Sequence, residues 1–147
     1  MTPSAACVVD ASLGIRLFVN EALSDVALAF FALAADKPEI CRHVPDLLFM
    51  ECVNLLWKCV SRYGLRPLAA VRCLTDLYAL RLPVLPTSAL TPSALKIAMD
   101  LSISLYDASC MAAAQLLDVP PVTADKRLAR RLAKMKFKGM YLDELDI

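Results

Sequence analysis

Short apolar runs alternate along the chain with longer segments of helical periodicity. The run from Ala5 to Val9 ends at Asp10 and is typical of a buried strand. Similar short runs predict further strands at 42–44, 84–85, 120–123 and 140–142. Strands that are covered on both faces are nearly continuous in apolar residues, so these runs predict a mostly parallel sheet.

Six segments between these runs place apolar residues at helical spacing. They are predicted as helices at 22–35, 45–63, 67–80, 92–101, 106–117 and 125–135. Gly64 is expected to end the second, and Thr91 is expected to cap the fourth, with Pro92 at its first helical position. Because strands and helices alternate, we expect one α/β domain over residues 1–147, with helices on both faces of the sheet.

The composition is unusually apolar, at 59% hydrophobic residues and a mean hydropathy of +0.55. The longest helical stretch without charge or proline, Val26–Ala35, is far shorter than the ~20 residues that span a bilayer. No basic segment precedes the first apolar run, so no signal peptide is predicted. We therefore expect a soluble, cytoplasmic protein without a membrane segment.

The remaining composition excludes several kinds of site. The six cysteines include no CxxC pair and there is one histidine, so a zinc site is not predicted. The three glycines form neither a GxGxxG loop nor a P-loop, which disfavours nucleotide binding of those types. The net charge is only +1, yet seven basic residues and no acid lie between Lys126 and Lys138.

Four carboxylates lie in apolar surroundings, which acids rarely occupy without a partner. Asp10 and Asp125 each follow a predicted strand, at the ends where open parallel sheets bind ligands. Glu51 lies in mid-helix, one turn from Asn54, and Asp107 lies in the first turn of its helix. If the four acids converge, their repulsion would be relieved by a hard divalent cation such as Mg²⁺ or Mn²⁺.

Most of these features also have a purely structural explanation, although Glu51, in mid-helix among apolar residues, has no capping role. Asp10 or Asp107 could cap a helix, since a carboxylate is favourable at a helix N-terminus. Asp125 could cap the basic helix and pair with a neighbouring cation. The basic segment itself could be a solvated helix face. The sequence alone leaves these alternatives open.

Four segments carry a resemblance to a known family. In order they are VVDAS, PDLLFMECVNLLW, SLYDASCMAAAQLL and VTADKRLARRL, around Asp10, Glu51, Asp107 and Asp125. Each is weak alone, but their order and separations resemble the PIN-domain family, and most closely the toxin ribonucleases of VapBC toxin–antitoxin pairs. The resemblance implies a PIN-like three-layer fold, with a central, mostly parallel sheet of about five strands flanked by helices.

The resemblance also implies an activity, a Mg²⁺-dependent endoribonuclease in which Mn²⁺ may substitute and a metal-activated water cleaves RNA. The implied metal-binding and catalytic residues are Asp10, Glu51, Asp107 and Asp125, with support from Ser12, Asn54 and Thr123. The basic helix is expected to bind the RNA backbone through Lys126, Arg127, Arg130, Arg131 and Lys134. The implied partners are the RNA substrate, a cognate antitoxin protein and a second copy in a homodimer.

The same residues also bear on other possible functions. A housekeeping RNA-processing nuclease of the same fold stays open, as does a non-catalytic metal-binding interaction module. A phosphoryl-receiver domain is disfavoured because Asp10 has no acidic neighbour, and a DxD phosphatase because position 12 is Ser12.

Overall fold

The computed structural model describes residues 6–20, 22–37, 40–134 and 139–145. Its strands are β1 (Ala6–Val9), β2 (Cys41–Pro45), β3 (Val84–Leu85), β4 (Pro121–Thr123) and β5 (Met140–Tyr141). Its helices are α1 (Ala11–Arg16), α2 (Ser24–Asp36), α3 (Leu47–Tyr63), α4 (Pro67–Ala79), α5 (Thr87–Leu101), α6 (Leu105–Leu117) and α7 (Lys126–Lys134), followed by a 3₁₀ turn at Leu142–Glu144. The predicted ends of the first strand and the last helix, Ala5 and Met135, lie outside the described residues.

The five strands form one sheet in the order β3-β2-β1-β4-β5, and every neighbouring pair is parallel. The prediction of a mostly parallel sheet of about five strands is thus confirmed. β1 lies at the centre, where Val8 is in register with His43 of β2 and with Pro121 of β4. Because the strands run in one direction, their carboxyl ends meet along a single edge of the sheet.

Two apolar clusters pack on opposite faces of the sheet and give the fold its three layers. Cys7 and Val9 face a cluster built largely from α1, α2 and α3. Val8, which lies between them, faces a second cluster built from α5, α6 and α7. This alternation follows from the two-residue period of a strand. Helices therefore cover both faces, as the apolar strands predict.

Two expectations about the helices were wrong. α1 was not predicted, because its six residues are too few to show helical periodicity. α5 begins at Thr87, and Pro92 lies inside it instead of at its first position. Proline cannot donate to the carbonyl of Ser88, but the Thr91 hydroxyl does so at 3.1 Å and thereby satisfies that oxygen within the helix.

The remaining surface and core features agree with the composition. No helix within the described ranges combines the length and apolar character that a bilayer crossing demands. The six cysteines are all free thiols, and Cys52 and Cys110 are buried as small core residues.

Candidate active site

Asp10 directly follows β1, and Asp125 lies two residues after the neighbouring strand β4, so both are at the carboxyl edge of the sheet. Each also caps a helix. Asp10 Oδ2 accepts a hydrogen bond from the Ser12 amide at 3.3 Å, and Asp125 Oδ1 accepts from the amides of Arg127 and Leu128 at 2.7 and 3.3 Å. The capping alternative is therefore confirmed for both acids. A capping carboxylate keeps further lone pairs, so it can still bind a cation.

Two hydroxyls tie these strand ends together. The Ser12 and Thr123 hydroxyls both donate to Asp10 Oδ2, the latter at 3.0 Å between residues 113 positions apart. Ser12 Oγ accepts from the Ala124 amide at 2.9 Å, and Thr123 Oγ1 accepts from the Asp125 amide at 3.0 Å. These are the contacts that a supporting role for Ser12 and Thr123 requires, since they fix the orientation of Asp10 and the backbone beside Asp125.

Glu51 and Asp107 approach the same edge from two helices. Glu51, on α3, lines a small cavity together with Asp10. Asp107 lies in the first turn of α6, but it does not cap that helix: Ser104 is the N-cap, and its hydroxyl accepts from the Asp107 amide at 3.0 Å. Asp107 lines a second cavity together with Asp125.

Burial raises the pKa of three of these acids, and repulsion from neighbouring acids adds to the shift in two of them. Asp10 is only 6% exposed, and burial raises its pKa although hydrogen bonds from Ser12 and Thr123 oppose the shift. The pKa of Glu51 is raised to about 7, first by burial and then by the negative charges of Asp10 and Asp107. Burial also raises the pKa of Asp107, and the charges of Asp10 and Asp125 add to the effect. The four acids thus share one electrostatic neighbourhood.

The donor chemistry of this neighbourhood fits a hard divalent cation. Within the described residues, Asp10, Glu51 and Asp107 have no ion-pair partner, and the contact of Asp125 with Arg127 Nε is long at 3.9 Å. The same residues include no group of three acids, histidines or cysteines already placed to hold an ion. Mg²⁺ typically keeps several waters and takes only one or two carboxylates directly, so an open arrangement of acids is compatible with it.

The other residues predicted for the site lie on α3 and on α7. Asn54 is exposed and lines a groove on α3 with Glu51 and Tyr106. α7 carries four basic residues whose side chains are described, and all four are exposed. They divide into two pairs, because Arg127 and Arg131 line the cavity of Asp107 and Asp125 whereas Lys126 and Arg130 do not. The side chain of Lys134 lies outside the described part of the chain.

Sequence reasoning missed Ser104, which positions the first turn of α6 beside Asp107. A signal for it was present. The segment Ser104-Leu105-Tyr106-Asp107 has the spacing of a capping box, in which a serine precedes an acid by three residues.

Replacing Glu51 with glutamine is expected to stabilise the cation-free protein at alkaline pH. Between about pH 4.5, the ordinary value, and its folded pKa of about 7, the unfolded chain has lost a proton that folded Glu51 retains. The free energy of unfolding therefore falls as the pH rises through this window. Allowing for solvent screening of a partly exposed side chain, Glu51→Gln should add about 1–2 kcal/mol at pH 8.

Urea unfolding in a chelator from pH 4.5 to 8 measures this effect. Asp76→Asn, at an exposed position of α4, is the control and should keep the wild-type pH dependence. An unchanged pH dependence in Glu51→Gln would contradict the assignment of Glu51 to a repulsive, buried cluster.

Comparison with known proteins identifies the class of this fold and site. The family model for the PIN domain matches residues 7–134. The chain therefore belongs to the PIN-domain family, and the resemblance carried by its four acidic motifs is confirmed.

Solved structures share the fold. The structure of PAE2754 from Pyrobaculum aerophilum has a TM-score of 0.68 and 27% identity, covering 95% of this chain and 85% of that one. A toxin–antitoxin complex from Klebsiella pneumoniae has a TM-score of 0.57, 18% identity and coverage of 82% and 88%. VapC20 from Mycobacterium tuberculosis, described as a sarcin–ricin loop cleaving toxin, has a TM-score of 0.63, 18% identity and coverage of 84% and 93%. A search of curated proteins gave no significant match.

Proposed function

We propose that this PIN-domain protein is a metal-dependent endoribonuclease and the toxin of a type II toxin–antitoxin pair. The observation that carries the proposal is that four acids, after β1, on α3, on α6 and after β4, line neighbouring cavities and act on one another electrostatically. Of these four acids, only Asp125 has a cation nearby among the described residues. The fold supports it, since similar structures include one described as an RNA-loop-cleaving toxin and one described as a toxin–antitoxin complex.

In this proposal Asp10, Glu51, Asp107 and Asp125 hold Mg²⁺, with Mn²⁺ as a substitute. A divalent cation held by these acids would supply the means to activate a water and to offset charge on the phosphate. Ser12 and Thr123 hold Asp10 in one orientation through its Oδ2, so little reorganisation is needed when substrate binds. Asn54, one turn from Glu51, lies where its amide can orient that carboxylate or a water. Arg127 and Arg131 of α7, which line the cavity of Asp107 and Asp125, attract the RNA backbone, which the acids alone would repel.

Protein partners are supported by the apolar surface of α3 and α4. Large side chains on these helices are more than half exposed: Met50, Trp57, Tyr63, Leu68, Val71 and Tyr78. Exposed apolar surface of this extent commonly marks a protein interface. We assign this surface to the cognate antitoxin or to a second copy in a homodimer, and we place the protein in the cytoplasm with its RNA substrate.

Cleavage of labelled RNA by the purified protein tests the nuclease. We expect cleavage with Mg²⁺ or Mn²⁺, loss of cleavage in a chelator, and recovery when the cation is returned in excess. Calorimetry in parallel measures cation binding. If the cation binds and no RNA is cleaved, the protein is a metal-binding interaction module and the proposed activity is wrong.

Induced expression in cells tests the toxin role separately. A toxin should arrest growth when expressed alone, and sequencing of RNA ends should reveal a restricted set of new cleavage sites. Unimpaired growth despite active cleavage in vitro would favour the housekeeping nuclease over the toxin.

A further inference from the structure

We propose that Arg127 and Arg131, and not Lys126 and Arg130, form a subsite for the RNA phosphate next to the scissile one. The inference rests on the proposed nuclease function and divides the basic helix into two pairs with different roles. Its starting observation is the cavity between α6 and α7, which Arg127 and Arg131 line together with Asp107 and Asp125.

The geometry of α7 separates the two pairs. Leu128 and Leu132 are buried at 3% and 1% exposure and anchor the helix in the second core cluster. Arg127 and Arg131 are four residues apart and immediately precede these leucines, so they share the flank that borders the cavity. At 100° per residue, Lys126 and Arg130 lie opposite the leucines, on the face directed away from the core.

The cavity presents hydrogen-bond donors suited to a phosphate. The Arg127 side chain is 91% exposed, and its 3.9 Å contact with Asp125 is too weak to hold it against a phosphate ligand. Arg131 Nη1 donates to the Ser102 carbonyl, which fixes that guanidinium at the cavity and uses only one of its five N–H groups. Ser104 lines the same cavity, and its hydroxyl can donate while its oxygen accepts from the Asp107 amide. Guanidinium groups bind phosphate in a bidentate fashion.

The position of the cavity indicates which phosphate of the RNA strand would bind there. Two of the four acids, Asp107 and Asp125, form part of its wall, so a ligand there lies beside the reacting group. An RNA strand that presents one phosphate to the acids must bring the next phosphate close to them as well. The acids repel that second phosphate, and paired guanidinium groups at this point offset the repulsion.

A matched pair of double variants tests the division. Arg127→Ala with Arg131→Ala and Lys126→Ala with Arg130→Ala each remove two positive charges from the same helix. The first should lower kcat/KM for RNA cleavage about 10- to 100-fold, as expected for lost charge-assisted hydrogen bonds. The second should lower it less than about threefold, as expected for exposed charges that make no direct contact. Equal losses would overturn the proposal in favour of a diffuse basic surface.

Neutralising the phosphates of the RNA one at a time locates the phosphate that contacts Arg127 and Arg131. A methylphosphonate is placed in turn at each linkage beside the cleaved bond of an RNA oligonucleotide. In the wild-type protein, a methylphosphonate at one neighbouring linkage should weaken RNA binding. It should also reduce the slope of the logarithm of the binding constant against the logarithm of the salt concentration by about 0.7. The same substitution should cost nothing further in the Arg127→Ala, Arg131→Ala protein, because both changes remove one interaction. Additive effects at every position would contradict the subsite.

Two further measurements separate binding from folding and from the proposed function. Arg131→Lys keeps the charge and should retain more activity than Arg131→Ala, and Arg127→Ala alone should weaken cleavage without a change in Tm. A Tm loss that accounts for the activity loss in Arg127→Ala would overturn the proposal. A wild-type protein that fails to cleave RNA contradicts the nuclease itself, whereas a cleaving enzyme insensitive to Arg127 and Arg131 contradicts only the subsite.

Discussion

Replacing Asp10 with asparagine should reduce RNA cleavage by at least about 10³-fold while the fold is retained. A catalytic cation stabilises charge in the transition state by several kcal/mol, and each ~1.4 kcal/mol corresponds to tenfold in rate. Asp10 is the most buried of the four acids, and its charge acts on both Glu51 and Asp107, so its loss should weaken cation binding directly. Asparagine has nearly the same volume, its oxygen can accept from Ser12 and Thr123, and it is an equally good helix cap.

The assay compares initial rates at saturating Mg²⁺, with Tm as the measure of folding. Asp100→Asn is the matched control, because Asp100 is an exposed acid on α5 that pairs with Lys96. It should cleave at the wild-type rate. Wild-type cleavage by Asp10→Asn would show that the acid group is not the reaction centre.

Replacing Phe30 with alanine is expected to cost about 3–5 kcal/mol of unfolding free energy, a large share of the ~5–15 kcal/mol typical of a domain. Phe30 is fully buried on α2 and packs edge-to-face on Phe31, with a ring-centroid distance of 5.6 Å. The guanidinium of Arg42, which is 1% exposed in β2, lies 4.1 Å above its ring centroid. Alanine would leave a cavity and remove the ring over which a buried charge is stacked.

Chemical unfolding in urea at constant pH measures this loss. Leu28→Ala, on the same helix at 52% exposure, should change stability by less than about 0.5 kcal/mol. A small loss in Phe30→Ala would mean that the packing of α2 on β2 does not depend on this aromatic contact.

Apolar patterning predicted most of the fold because five strands and six helices are long or apolar enough to leave a periodic signal. The pattern could not reveal α1, whose one and a half turns are set by the Asp10 cap and by packing of Leu13 and Gly14. Nor could it place the start of α5, because Thr91 satisfies a carbonyl that proline would normally leave unpaired. The order of strands in the sheet likewise depends on long-range packing.

The acids of the candidate site were found from the sequence because charged residues in apolar runs are unusual. What the sequence could not provide is the relation between them. Thr123 reaches the Asp10 oxygen that Ser12 also binds only because β1 and β4 are neighbours in the sheet. The division of α7 into Arg127 with Arg131 and Lys126 with Arg130 likewise needs the cavity that α6 provides.

The pairing of β1 with β4 has a consequence for synthesis of the chain. Asp10 is translated well before its hydrogen-bond partner Thr123, which lies 113 residues later in the chain. Until β4 docks beside β1, Asp10 lacks the Thr123 hydroxyl, and the acid group lacks Asp125, which follows β4. A nascent chain therefore cannot assemble the complete acid group until β4 has been synthesised and has docked beside β1.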